Sequence, residues 1–177
     1  ERDRLLSGHL AVRIDRLEVA GRHLAVHSSV VVGALIVATV SHRHETPSAA
    51  SMIASALGST APAFDISAAC AGFSYALNLA DSLIRTSPIE HVLVIGVEKL
   101  SDYTNRRDRS TAFLFADVAG AVVVSRSEQP GIGPTIWGSD GSQANLIITE
   151  PDAMSARTQP NPDAASGIGI VMQGQQV

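Results

Sequence analysis

The chain has 177 residues, of which 45% are hydrophobic and 17% charged, and its formal net charge is -4. This composition supports a sizeable apolar core and provides no basic surface, so nucleic acid is not an expected partner. No apolar run is long enough to span a bilayer and no signal peptide is recognisable, so no membrane partner is predicted. A single cysteine cannot form an internal disulfide, which favours a cytoplasmic location.

The first thirty residues contain two competing periodicities. Apolar residues at helical spacing run through residues 13–27, whereas Leu10, Val12 and Ile14 alternate as they do in a strand. The longer of the two patterns predicts a helix over residues 13–27.

Four short runs predict strands, of which all but residues 63–67 are expected to be buried, and helical patterns lie between them. The first helix is bounded by Pro47 and Gly58, and the second begins near Cys70 and ends before Pro88. Strands that alternate with helices predict an α/β fold with a mostly parallel sheet, whose ligands gather at the carboxyl ends of the strands. The predicted strands are residues 34–40, 63–67, 91–97 and 119–125.

The rest of the chain gives weaker signals. Residues 131–141 predict one more strand, placed near a sheet edge because Pro134 has no N–H to donate. From about residue 141 the sequence becomes polar and rich in proline, glycine, asparagine and serine, which predicts a long surface excursion.

Cys70 stands where a predicted strand becomes a helix. Unpaired N–H groups at a helix N-terminus stabilise a thiolate and can hold the oxyanion of an acyl-transfer reaction. Its small neighbours, Ala68, Ala69, Ala71 and Gly72, permit a tight turn and a close approach of substrate. A small buried hydrophobic side chain is the alternative interpretation, since free cysteine is often buried. Position alone leaves both interpretations open.

A thiol nucleophile needs a base, and two histidines follow a predicted strand in the segment "SHRHE". His42 or His44 could form a dyad with Cys70, although a solvated loop is the simpler interpretation. With Glu45 they form a His-x-His-Glu cluster that lacks further ligands, so no metal site is predicted.

The segment "FDISAACAGFSYAL" resembles the active-site segment of the β-ketoacyl-acyl-carrier-protein synthase III family. The resemblance continues through "HVLVIGVEKLSD", "DRSTAFLFADVAGAVVV" and "GIGPTIWGSDG", over about residues 33–142. It implies a thiolase-like α/β fold with a mostly parallel central sheet and helices on both faces. Residues 1–142 then correspond to the N-terminal half of that fold. Residues 143–177 correspond to a surface excursion and the start of the substrate-tunnel region, with the second half absent.

The resemblance also implies a reaction. Cys70 attacks an acyl-CoA primer and holds the acyl group as a thioester, and decarboxylation of malonyl-acyl-carrier protein supplies the carbanion that condenses with it. No cofactor is implied beyond the CoA thioester, and the expected assembly is a homodimer.

Three residues match positions of the family's acyl pocket. Leu100 and Phe115 match residues that line it, and Thr46 matches a residue that reaches across the dimer interface to close it. A threonine in place of the usual bulky aromatic implies room for a longer or branched primer. For Leu100 and Phe115, an ordinary place in the core is the alternative.

Three further residues match positions that contact the CoA moiety. Arg109 matches an arginine near the adenine, with a surface ion pair to Asp108 as the alternative. Gly174 and Gln175 match the pantetheine tunnel.

The sequence also departs from the family pattern. The family's catalytic histidine and asparagine have no counterpart here, and Trp137 does not replace its CoA-stacking tryptophan. Ala116 and Val118 replace two glycines in the segment "ADVAG". Two alternative functions therefore stay open: acyl transfer to an alcohol or amine without decarboxylation, and a truncated, catalytically incomplete half that dimerises.

Overall fold

The computed structural model describes residues 11–16, for which only the backbone is considered, and residues 31–129 and 131–174. These residues fall into two compact units. The first contains the described residues up to Val97 and Ala119–Thr135, and the second contains Glu98–Val118 and the described residues from Ile136 onward. The helices are α1 (Ala49–Ala56) and α2 (Gly72–Thr86), and the strands are β1 (Ala11–Arg16), β2 (Ala34–Ala38), β3 (Ala63–Ile66), β4 (His91–Lys99), β5 (Asp117–Ser127), β6 (Ile147–Glu150) and β7 (Gly169–Met172).

A five-stranded sheet forms the centre of the first unit. Its strand order is β1-β5-β4-β2-β3. Strand β2 is parallel to both β3 and β4, and β1 is antiparallel to β5. The α/β fold predicted from alternating strands and helices is confirmed.

The two helices cover opposite faces of this sheet. Because successive strand residues point to opposite faces, β2 supplies Ile36 to a core with α2 and supplies Leu35 and Val37 to a core with α1. Burial on both faces explains why β2 and β4 appear in the sequence as continuous apolar runs.

Helix α1 begins and ends with residues that favour those positions. The Ser48 hydroxyl oxygen caps its N-terminus by accepting a hydrogen bond from the Ser51 N–H at 3.1 Å. At the other end Gly58 has a φ of 67°, a left-handed conformation that glycine adopts without strain. Ala50 and Ala54 form its buried face, and their small side chains let the helix lie close to the sheet.

The second unit contains a β-hairpin and the segment that follows β4. Strands β6 and β7 pair antiparallel, with Glu150 opposite Gly169. The N–H of Ser166 donates to the carbonyl of Asp102, and the N–H of Ile170 donates to the carbonyl of Tyr103, both at 2.8 Å. These backbone bonds attach the polar C-terminal region to the segment after β4.

Two predictions about secondary structure are wrong. The helix predicted over residues 13–27 is a strand as far as Arg16, because β1 pairs with β5. Residues 17–27 lie outside the described residues. Residues 131–141 form no strand, and Ile136 in that segment is 95% exposed. Pro134 removes a donor there and four glycines remove side chains that could pack against a neighbouring strand.

The polar region after residue 141 contains strands β6 and β7, which the sequence did not predict. The division into residues 1–142 and 143–177 was based on composition and resemblance, and it stays a prediction. Within the part of the chain that the structure describes, no helix is long and apolar enough to cross a membrane.

Candidate active site

Cys70 lies just beyond the carboxyl end of β3, in a short 3-10 turn, Ala69–Ala71, that leads into α2. Parallel strands end at the same edge of a sheet, so the loop after β2 and the turn after β3 leave from neighbouring positions. The Thr39 N–H donates to the Ile66 carbonyl at 3.2 Å and extends the pairing to this edge. The Cys70 side chain is exposed. It is therefore not the buried structural cysteine of the alternative interpretation.

The Cys70 N–H takes no part in the hydrogen bonds that the turn forms among the described residues. The Ala71 N–H donates to the Ala68 carbonyl at 3.0 Å, and the Gly72 N–H donates to the Ala69 carbonyl. Among the described residues, the Cys70 N–H has no such acceptor. Ala69 has a φ of 44°, and within the same residues it is the sole non-glycine residue with positive φ. Backbone strain at a residue next to a reactive side chain is typical of functional turns.

Two close approaches fix the start of α2 against the sheet. A Cβ atom on Gly72 would lie 3.3 Å from the Cβ of Ala38, and one on Gly96 would lie 3.0 Å from the ring of Phe73. A side chain at position 72 would therefore press against the end of β2. Gly96 leaves room for the Phe73 ring over β4.

The loop after β2 carries Thr46, which is exposed. In the same loop, His42 Nε2 lies 3.1 Å from the Pro47 carbonyl oxygen, and the rings of His42 and His44 pack edge to face. No histidine ring in the described part of the chain forms a hydrogen bond with Cys70. The structure therefore gives no support to a dyad between Cys70 and His42 or His44.

Cys70 and Thr46 lie in the first unit. The second unit contains the remaining described candidates, Leu100, Arg109, Phe115 and Gly174. Leu100 begins a 3-10 turn and is half-buried, as is Phe115. Arg109 and Gly174 are exposed, and Gln175 lies outside the described residues. The roles assigned to these residues by resemblance stay predictions.

Asp108 does not pair with Arg109 in the second unit. Its carboxylate accepts hydrogen bonds from the Ser110 and Thr111 hydroxyls, both at 2.6 Å. These hydroxyls, together with the Ser110 N–H, lower the pKa of the Asp108 carboxyl. The ion pair considered as an alternative role for Arg109 is therefore not formed.

Ala116 and Val118 replace family glycines without a positive backbone φ. Both are exposed. Asp117 between them accepts hydrogen bonds from the N–H and the hydroxyl of Ser101, which lower the pKa of the Asp117 carboxyl. The backbone at positions 116 and 118 is not left-handed and the side chains are not crowded, so neither position requires glycine.

The sequence did not single out Asp65, which lies in β3 five positions before Cys70. Its carboxylate accepts hydrogen bonds from the N–H groups of Ala49 and Ala50, each at 2.8 Å. A charged residue inside an otherwise apolar strand is the signal that could have drawn attention to it. Its partners could not be identified without the register of the strands.

Comparison with known proteins defines the class of this fold and site. Residues 64–141 match the family model of 3-oxoacyl-[acyl-carrier-protein] synthase III. Among solved structures, the priming β-ketosynthase of the R1128 polyketide pathway superposes with a TM-score of 0.76 at 35% identity, over 82% of this chain and 43% of that one. The synthase III of Pseudomonas aeruginosa superposes with a TM-score of 0.70 at 35% identity, over 82% of this chain and 45% of that one. The fold is that of the thiolase-like condensing enzymes.

Curated relatives narrow this class to one family. The β-ketoacyl-[acyl-carrier-protein] synthase III of Streptomyces glaucescens is 54% identical over 134 residues, which are 74% of this chain and 40% of the relative. The corresponding protein of Mycobacteroides abscessus is 46% identical over 155 residues, which are 87% of this chain and 45% of the relative. The resemblance is confirmed, and the chain belongs to the β-ketoacyl-acyl-carrier-protein synthase III family. It spans less than half the length of these relatives.

Proposed function

We propose that this chain carries the acyl-accepting part of an acyltransferase that initiates fatty-acid or polyketide synthesis. The observation that carries the proposal is an exposed Cys70 on a turn at the carboxyl edge of the sheet, inside the segment matched by the family model. The Cys70 sulfur attacks the thioester carbon of acyl-CoA, and the CoA thiolate leaves. The acyl group then remains on Cys70 as a thioester.

The turn supplies one group that stabilises this transfer. The negative charge that develops on the thioester oxygen needs a donor that is already oriented and not engaged elsewhere. The Cys70 N–H has no acceptor among the described residues, whereas the neighbouring N–H groups of Ala71 and Gly72 donate within the turn. It forms half of the proposed oxyanion hole.

The second half of the proposed reaction is condensation with malonyl-acyl-carrier protein. Loss of CO₂ from the malonyl group generates a carbanion, which attacks the Cys70 thioester and releases the Cys70 thiolate. In this scheme Thr46, Leu100 and Phe115 contact the acyl chain. Arg109 contacts the CoA adenine, and Gly174 and Gln175 contact pantetheine.

The remaining features of the proposal follow from the same chemistry. The reaction uses CoA and carrier-protein thioesters and needs no further cofactor. The proposed assembly is a homodimer, since Thr46 acts across the interface between copies. The proposed location is the cytoplasm, where both thioester substrates occur.

Release of CoA tests the acyl-transfer step. Mixing the chain with an excess of short-chain acyl-CoA should release one equivalent of free CoA per chain, as measured by chromatographic separation of CoA from acyl-CoA. Cys70→Ala should release none, and Ala71→Ser, in the same turn, should behave as the unmodified chain does. Equal release from the Cys70→Ala variant would refute the proposal.

A further inference from the structure

A carboxylate in β3 holds the start of α1. Asp65 lies opposite Val37 in the parallel pairing of β2 and β3, and Val37 packs into the α1 core together with Ala63 of the same strand. Residues in register on parallel strands face the same side of the sheet, so Asp65 faces α1. Its two oxygens each accept one backbone N–H, from Ala49 and Ala50, at 2.8 Å.

The two hydrogen bonds from Ala49 and Ala50 to the Asp65 carboxylate are called the Asp65 clamp. The N–H groups in the first turn of a helix have no partner within the helix, and a negative charge there interacts favourably with the helix dipole. Ser48 caps a third N–H, that of Ser51, so the start of α1 is fixed from two directions. The Asp65 carboxylate attaches α1 to the strand that leads to Cys70.

The clamped residues follow directly after the segment that carries Thr46. Two residues separate Thr46 from Ala49, and the carbonyl of the first of them, Pro47, contacts His42. Thr46 itself is exposed, so its side chain is open to a bound acyl chain. Movement of the Ala49 backbone therefore moves Thr46.

We infer that Asp65 is a positioning residue that sets primer selectivity by holding the Thr46 segment at the start of α1. The inference rests on the proposed function, because it assigns Asp65 a role at the acyl pocket of that reaction. Asp65 acts through Thr46 and touches no reacting atom. When the hydrogen bonds of Asp65 are lost, the Thr46 segment can move outward, and the acyl pocket then admits longer acyl chains.

N-alkylmaleimides of different chain length test this role without an acyl-transfer step. The Cys70 sulfur adds to the maleimide double bond and the neighbouring carbon takes a proton, so no further reactant is needed. The measured quantity is the ratio of Cys70 labelling rates for N-octylmaleimide and N-methylmaleimide. Pockets discriminate chain length by factors of roughly 10 or more, so Asp65→Asn should raise this ratio about tenfold.

Three variants separate positioning from general destabilisation. Ala49→Pro removes one clamped N–H, and the extended φ of -64° and ψ of 150° at Ser48 suit a following proline, so this variant should fold and raise the ratio in the same direction. Asp152→Asn is the matched control, because Asp152 accepts the Met154 and Ser155 N–H groups in the second unit. It should leave the ratio unchanged. In a Thr46→Ala background, Asp65→Asn should change the ratio less than twofold.

Several results would overturn the inference. The first is a labelling-rate ratio within twofold of the original in both Asp65→Asn and Ala49→Pro. The second is a change in that ratio on Asp65→Asn that is as large in the Thr46→Ala background as in the unmodified chain. If Asp65→Asn does not fold, Ala49→Pro decides alone. Failure of the unmodified chain to accept an acyl group from acyl-CoA would count against the proposed function, while the maleimide ratio would still test Asp65.

Discussion

The carboxylate of Asp117 accepts two hydrogen bonds from Ser101, one from its N–H and one from its hydroxyl, both at 2.8 Å. This pairing connects the first residue of β5 to the 3-10 turn that begins at Leu100. Both bonds favour the ionised carboxylate, and for this reason they lower its pKa.

A lowered pKa gives a specific dependence of stability on pH. The contribution of Asp117 should be fully present above the unfolded pKa, about 3.9, and should be lost as the pH falls through the folded pKa. Asp117→Asn should lower the Tm at pH 7, and its difference from the unmodified chain should shrink as the pH falls below about 4. Thermal unfolding across a pH series measures this. A difference that stays constant down to pH 2 would contradict the assignment, and Glu128→Gln, at an exposed carboxylate, serves as control.

The positive φ of Ala69 predicts a steric limit at the turn that precedes Cys70. A left-handed backbone costs an L-residue roughly 1–2 kcal/mol, and a β-branched side chain costs more. Ala69→Val should therefore lower the free energy of unfolding by about 1–3 kcal/mol, and Ala69→Gly should leave it within about 1 kcal/mol. Urea titration measures both. Ala71→Val, at an exposed residue with a φ of -85°, should have the smaller effect, and equal losses at the two positions would rule out the strain.

The close approach of Gly72 to Ala38 predicts overpacking in larger variants. Gly72→Val should lower the free energy of unfolding by about 1–3 kcal/mol, because the added methyl groups enter a buried contact. Adding Ala38→Gly should recover part of that loss, since it removes the opposing Cβ atom. The control is Gly120→Val, because a Cβ there would meet no atom within 4 Å. Absence of any recovery in the double variant would count against this contact.

Restoring the family glycines should not stabilise this chain. Ala116 and Val118 are exposed and have no positive φ, so glycine relieves no strain at either position. Val118→Gly should instead lower the free energy of unfolding by roughly 0.5–1 kcal/mol, because glycine is unfavourable within a strand. An increase in Tm on introducing both glycines would show that the side chains are strained.

The sequence predicted the parallel strands and the two helices because the order of apolar residues, prolines and glycines within each segment determines them. Strand β2 is buried on both faces, which requires a continuous apolar run, and α1 ends two residues before Gly58, where the backbone is left-handed. Strand β1 was not predicted, because its strand character depends on pairing with β5, more than 100 positions away. The hairpin β6–β7 was missed because each strand has only four residues, too few to give a periodic signal, and both lie in an otherwise polar region.

The candidate site was predictable in part. Small residues around Cys70 indicated a tight turn, and the structure has one there. The left-handed backbone of Ala69 and the clamp formed by Asp65 were not predictable, because both depend on how β3 and α1 pack. Thr46 was identified by resemblance alone, and no local pattern distinguishes it from any other loop threonine.

The 177-residue chain is expected to accept an acyl group without completing the condensation. The groups that stabilise the carbanion in the family have no recognised counterpart in its sequence. Chain that has been acylated at Cys70 should therefore yield no 3-oxoacyl product with malonyl-acyl-carrier protein, as measured by mass spectrometry of the carrier. Formation of that product would show that other residues of this chain stabilise the carbanion.

Locating the acyl group tests the central claim most directly. After incubation with acyl-CoA and proteolysis, mass spectrometry should find the acyl group on the peptide that contains Cys70, and hydroxylamine should remove it as it removes a thioester. The Cys70→Ala chain should carry no such group. An acyl group on another residue, or one that persists in the Cys70→Ala chain, would contradict the assignment of Cys70 as the nucleophile.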